Sequence, residues 1–131
     1  MADLLREITQ WVATGTGWGI GSKLYGGALP AEEPDEAIVI LERGGPPDMY
    51  HIDYRVGRFM FQVLARGNTY FTARDDSHAV KACLHELGQQ TIGEWEIMSS
   101  EAVSAPQFLG FDERGRYEFS TNYEVRALRF P

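Results

Sequence analysis

The chain has 131 residues, of which 44% are hydrophobic and 24% charged, with a net charge of −7; this fits one domain with a modest core. No apolar run approaches the roughly 18 residues of a membrane-spanning helix, and the acidic balance disfavours nonspecific grip on phosphate backbones, which relies on Lys and Arg. A single cysteine, Cys83, excludes an internal disulfide and a cysteine-rich metal site. The opening MADLLREITQWV lacks the basic start and apolar block of a signal peptide, so an intracellular origin is expected.

Asp3 to Thr14 reads as an amphipathic helix. Leu4, Leu5, Ile8, Trp11 and Val12 recur at three- and four-residue spacing, Asp3 is a good N-cap, and Gly15 and Gly17 end the helix. Residues 15–27 are glycine-rich and read as a loop holding Trp18, Ile20, Leu24 and Tyr25; residues 30–34 form a second, acidic loop. EAIVILE, residues 36–42, is a β-branched run that reads as a central strand covered on both faces. GGPP at 44–47 breaks it. Residues 48–57 read as a long hairpin loop, unusually apolar in Met49, Tyr50, Ile52 and Tyr54.

A strand follows at 58–66, with Phe59, Phe61, Val63 and Ala65 inward and Met60, Gln62 and Leu64 opposite. Asn68 or Thr69 can cap a second helix over 70–87, with Ala73, Val80, Cys83, Leu84 and Leu87 as its core stripe and Gly88 as its stop. Residues 94–98 read as a strand and 99–106 as a linker. A short apolar segment then turns at Asp112-Glu113-Arg114-Gly115. There Asp112 is expected to bond its own backbone, with Gly115 in the left-handed conformation.

From Arg116 the chain alternates strictly. Tyr117, Phe119, Thr121, Tyr123, Val125 and Ala127 fall on a buried face; Arg116, Glu118, Ser120, Asn122, Glu124 and Arg126 fall on a wet one. Such a strand extends about 45 Å, longer than a small domain needs. An edge that outruns its domain and carries charges of both signs is suited to controlling which neighbour pairs with it. The element order α-β-β-α-β-β-β predicts an α+β fold: two helices on one face of a mostly antiparallel or mixed sheet, in one domain over 1–131.

No catalytic or cofactor constellation emerges. The glycines at 15, 17, 19 and 21 miss the dinucleotide spacing and follow a helix instead of a strand. His78 and His85 read as solvated helix residues beside a buried Cys83 thiol, short of the three or four convergent ligands a metal needs; His51 and Asp53 could join only from the loop. The acids at 32, 33, 35, 36, 112 and 113 sit at turns, where nothing isolates a carboxylate pair for acid–base work.

Leu109-Gly110-Phe111-Asp112-Glu113-Arg114-Gly115-Arg116, followed by Thr121-Asn122-Tyr123, resembles the C-terminal signature of the phage tail terminator family, often labelled minor capsid proteins of long-tailed phages. Leu24-Tyr25-Gly26-Gly27, Leu29-Pro30, Pro34-Asp35 and Phe61-Gln62-Val63-Leu64-Ala65-Arg66-Gly67 fall in the order that family shows. The resemblance implies a structural virion protein made in the host cytoplasm. It would form a ring, usually of six subunits, that caps the tail tube, stops its polymerisation and joins the head connector. The partners implied are the chain itself, the tail tube protein and the connector, with DNA passing an acidic lumen unbound; no cofactor, no metal and no membrane is implied. On that reading Glu118, Asn122, Glu124 and Arg126 are expected to serve self-association, and Met49, Tyr50, Ile52 and Tyr54 to touch the tube. Two other classes compete. One is a small cytosolic binding domain for a peptide or small molecule that uses the 18–25 loop as an aromatic wall; the other is a small hydrolase or nuclease on the acidic turns.

Overall fold

The structure, a computed structural model, describes residues 4–30, 34–43, 49–50 and 55–129. In chain order the elements are α1 (Leu4–Thr16), β1 (Leu24–Gly26), β2 (Ala37–Glu42), β3 (Met49–Tyr50), β4 (Arg55–Gly67), α2 (Tyr70–Leu84), β5 (Gln90–Ile92), β6 (Trp95–Ala102), β7 (Gln107–Phe111) and β8 (Tyr117–Arg129). The sheet runs β1-β2-β4-β8-β6-β5, with β3 attached to β4 and β7 to β8. Only β1–β2 is parallel among these pairs. The expected α+β class and the order of the seven principal elements hold. Two short strands, β1 and β3, are added where the sequence reads as loop, and a third, β5, in a stretch it leaves unassigned.

Both helices cover one face of the sheet. Leu4, Ile8 and Val12 of α1 and Val80 and Leu84 of α2 pack with Ile38, Ile40, Phe61, Val63, Ala65, Tyr123, Val125 and Ala127. The period of 3.6 in the helices and of 2 in β4 and β8 thus converge on one apolar layer. Thr69 caps α2 as expected, its hydroxyl accepting from the Thr72 N–H at 3.1 Å. The helix stops earlier than expected: His85 is its C-cap and Glu86 adopts φ +56°. His85 is tied down, because its Nδ1 accepts the Ala102 N–H at 3.0 Å. The expected solvated histidine is therefore corrected to a half-buried residue that secures the end of β6.

α1 runs two residues beyond the expected end, through Gly15 and Thr16, and Gly17 with φ +80° receives its chain. Gly15 is retained inside a helix because α2 crosses closely there: a Cβ on Gly15 would lie 2.8 Å from Cys83 Sγ. Trp11 Nε1 donates to the Cys83 carbonyl at 3.1 Å, fixing the same crossing. Gly15→Ala gains about 1 kcal/mol of helix propensity but overpacks the crossing by about 1–3 kcal/mol. We expect a net loss in the wild-type background and a net gain in a Cys83→Ala background, read from denaturation midpoints.

The largest departure from expectation concerns β8. It is paired along its whole length with β4, from Tyr117↔Gly67 to Arg129↔Arg55. Its other side is taken by β7 over 117–120 and by β6 over 123–128. The expected free edge is absent. Its length is matched by β4, which starts three residues before the expected boundary, so β8 does not outrun its domain.

Candidate functional site

The residues expected to self-associate lie along the sheet face opposite the helices. Asn122 and Arg126 are exposed there and Glu124 is half-buried. Glu124 is engaged within its own chain: Arg58 Nε donates to its carboxylate at 2.7 Å and Arg126 Nε lies at 3.5 Å. The Arg58 bond, opposed by partial burial, holds the Glu124 carboxyl below its usual range. Beside this trio a groove of about 460 Å³ is lined by Arg43, Met60, Phe61, Gln62, Val103 and Asn122.

Toward the start of β8 the wet face is not wet. Arg116 and Ser120 are buried, which corrects their expected exposure, and Glu118 is half-buried. Arg116 Nε meets Asp112 Oδ2 at 2.7 Å and its Nη1 meets Asp35 at 3.4 Å. Arg66, equally buried, donates to the carbonyls of Pro30 and Pro34. Burial, reinforced by the nearby Arg116 charge, draws the Arg66 guanidinium below its ordinary pKa. The Asp112 turn is built as expected: its Oδ1 accepts the N–H groups of Arg114 and Arg116 at 2.9 Å, and Gly115 has φ +74°. Its second oxygen, aimed at Arg116, makes the turn one end of a clamp that spans three segments of the chain. Sequence periodicity missed this clamp: alternation put Arg116 on the wet face and left Arg66 simply as the last residue of its strand.

At the same end of the sheet, on the helix side, six aromatic rings gather. Tyr70 contacts Phe71, Phe108, Tyr117 and Phe119 with ring centroids 5.0–6.3 Å apart, and Phe111 stacks edgewise on Tyr117 at 4.7 Å. Phe71, Phe111 and Leu109 are nevertheless 65%, 61% and 54% exposed. The sequence reads 107–111 as an apolar segment without showing that its apolar residues reach solvent.

Of the residues expected to touch the tube, Met49 and Tyr50 form β3, paired with Val56 and Arg55. The region is thus partly a ribbon where a loop is expected; Ile52 and Tyr54 lie outside the described residues, as do His51 and Asp53. In the 18–25 loop Lys23 Nζ lies 4.9 Å from the centroid of the Trp18 ring and 3.3 Å from Asp76, while Trp18 and Ile20 line a groove of about 430 Å³. His78 is exposed on α2, away from the capping His85. Among the described residues no three His, Cys, Asp or Glu side chains gather as metal ligands. Burial pushes the Cys83 thiol up, away from the reactive thiolate.

In fold the molecule resembles a chain of a solved particle described as "Virion of native gene transfer agent (GTA) particle", with a TM-score of 0.68 at 12% identity, covering 95% of this chain and 94% of that one. A search of curated proteins finds no match. The family model described as "Bacteriophage tail terminator protein" matches residues 7–129, and the chain belongs to that family. The role is accordingly structural, tail-related and virion-associated.

Proposed function

We propose that the chain is the tail terminator itself: a ring, of six subunits, that seats on the last ring of the tail tube, halts polymerisation and offers the head connector a new surface. The family match across 7–129 carries this reading. The acidic charge of −7 per chain suits a lumen that DNA crosses without sticking, since like charges repel over about 8 Å at physiological salt. The segment holding Met49, Tyr50, Ile52 and Tyr54 is the one we assign to the tube, and the sheet face of Glu118, Asn122, Glu124 and Arg126 the one we assign to the neighbouring subunit. The test is deletion of the gene followed by electron microscopy of the particles. Overlong tails are expected; tails of normal, fixed length would sink the reading.

A point variant tests the subunit face. Arg126→Glu sets a second acid beside Glu124 on the exposed sheet face. The Arg126–Glu124 pair is solvent-exposed and worth about 0–1 kcal/mol, so the monomer should fold and melt within a few degrees of wild type. A ring repeats the mismatch at every interface, so tails should lengthen as in the deletion. Wild-type tail lengths from this variant would remove Arg126 from the assembly surface.

A further inference from the structure

The aromatic end of the molecule has no role in the fold that explains its exposure. β7 pairs only with β8 among the described residues, so its second edge presents unpaired backbone N–H and C=O groups. Edge strands of soluble proteins are ordinarily guarded by charge or proline. Gln107, Phe108, Leu109, Gly110 and Phe111 include neither. The bulge between Phe108 and Gly110 interrupts the ladder to β8, and Leu109, at its centre, is more than half exposed. Taking about 200 Å² per large side chain, the exposed fractions of Tyr70, Phe71, Phe108, Leu109 and Phe111 sum to roughly 500 Å². That is near the upper end of the largest apolar patch on an ordinary monomer and well over half of one side of a standard interface.

We propose that β7 and the rings beside it dock on a second copy of this chain, in the groove lined by Met60, Val103 and Asn122 on the opposite face of its sheet. Three observations select that occupant. Each copy carries −7, so two copies repel unless they meet where neither presents excess acid. β7 is uncharged, and the groove residues Arg43, Met60, Phe61, Gln62, Val103 and Asn122 include one base and no acid. The groove has an exposed apolar wall at Val103 that the uncharged rings can cover. The rings lie on the helix side of the sheet, with Tyr70 against Phe119, and Asn122 lies on the other side. The two surfaces do not overlap, so each copy can use both at once. Such a head-to-tail contact repeats and closes into a ring when the rotation permits. The inference rests on the ring reading above and supplies its second contact surface.

The experiment replaces Leu109, and separately Phe111, by the photo-crosslinking amino acid p-benzoylphenylalanine in the full chain. Both positions are exposed, and circular dichroism checks each fold. Purified protein at increasing concentration and assembled particles are irradiated, and the joined peptides are read by mass spectrometry. Crosslinks from 109 or 111 to peptides holding Arg43, Met60 or Val103 of another copy, in either sample, are the expected result. Crosslinks to a different particle protein, to β7 of another copy, or to nothing in both samples would overturn the proposal. Tail length in the deletion strain is scored separately, so normal tails would defeat the terminator reading without altering the crosslink, and a crosslink to the tube protein would defeat this inference without altering tail length.

Discussion

Tyr123→Ala is expected to cost about 3–5 kcal/mol, a large share of the 5–15 kcal/mol that holds a domain together, whereas Tyr123→Phe should be neutral or stabilising. Tyr123 is 0% exposed and stands in β8 between Phe61 of β4 and Ala102 of β6, on the face that α2 covers. Truncation opens a cavity inside the core cluster. Its hydroxyl tells a different story. It has no hydrogen-bond partner, and burial lifts its pKa far above the usual value for a tyrosine. An unpaired buried hydroxyl is a desolvation cost without a return, so removing it alone should not weaken the fold. Urea midpoints of the two variants decide the matter. A loss in Tyr123→Phe comparable to that in Tyr123→Ala would mean that the hydroxyl is satisfied in solution.

Arg116→Ala should cost about 3 kcal/mol at neutral pH, and this loss should shrink as the pH falls below about 4. Removing one member of a buried ion pair leaves its partner uncompensated, and here the 112–116 turn also loses its tie to the segment at Asp35, since Arg116 joins Asp112 and Asp35. Burial pushes the Asp112 carboxyl up, but the backbone and side-chain bonds from Arg116 and the Arg114 N–H outweigh it and hold the group below its ordinary range. A carboxylate with a lowered folded pKa lends stability above its unfolded pKa, near 3.9, and that stability is lost as pH drops through the folded value. Wild type should therefore lose stability below about pH 4 faster than the variant. Glu118 acts in the same direction on the comparison. Its carboxyl is raised by burial and by Asp112, and Arg116 opposes that rise, so without Arg116 its protonation favours the variant still more. Melting curves from pH 7 to pH 3 test both parts; parallel curves would show that the Arg116–Asp112 bond is not formed in solution.

The faces of β4 and β8 were legible because period-2 alternation depends only on neighbours in the chain: Phe61, Val63, Phe119, Tyr123 and Val125 are buried as the pattern requires. The cap at Thr69 and the Asp112–Gly115 turn were legible for the same reason. What alternation cannot carry is which strand lies beside which. Nothing within 117–129 says that β4 will run its full length along one side while β7 and β6 share the other, and so a centre strand reads as an edge. The buried arginines failed similarly. Arg66 finds its carbonyls 36 and 32 residues away, and Arg116 reaches Asp35 across 81. The available signal was compositional: Pro30 and Pro34 offer carbonyls in a segment that no strand claims, and such acceptors attract buried guanidinium groups. Of the residues assigned to self-association, the pattern placed Asn122 and Arg126 in solvent correctly, but could not show that Glu124 is bound by Arg58.

The position of β8 has a consequence for biosynthesis. It is the last strand in chain order among the described residues, yet β4, β6 and β7 all pair with it. While a ribosome is still making residues 1–116, β4 has β2 and β3 on one side and nothing on the other, and β6 and β7 have no strand to join them to the rest. Pairing at such long sequence separation is slow to form and leaves apolar strands uncovered in the meantime. A nascent chain of this design is expected to stay incompletely folded until residues 117–129 are free to pair with β4, β6 and β7. A chain cut before residue 117 should accordingly remain open to proteases, because β6 and β7 then lack the strand that joins them to the rest.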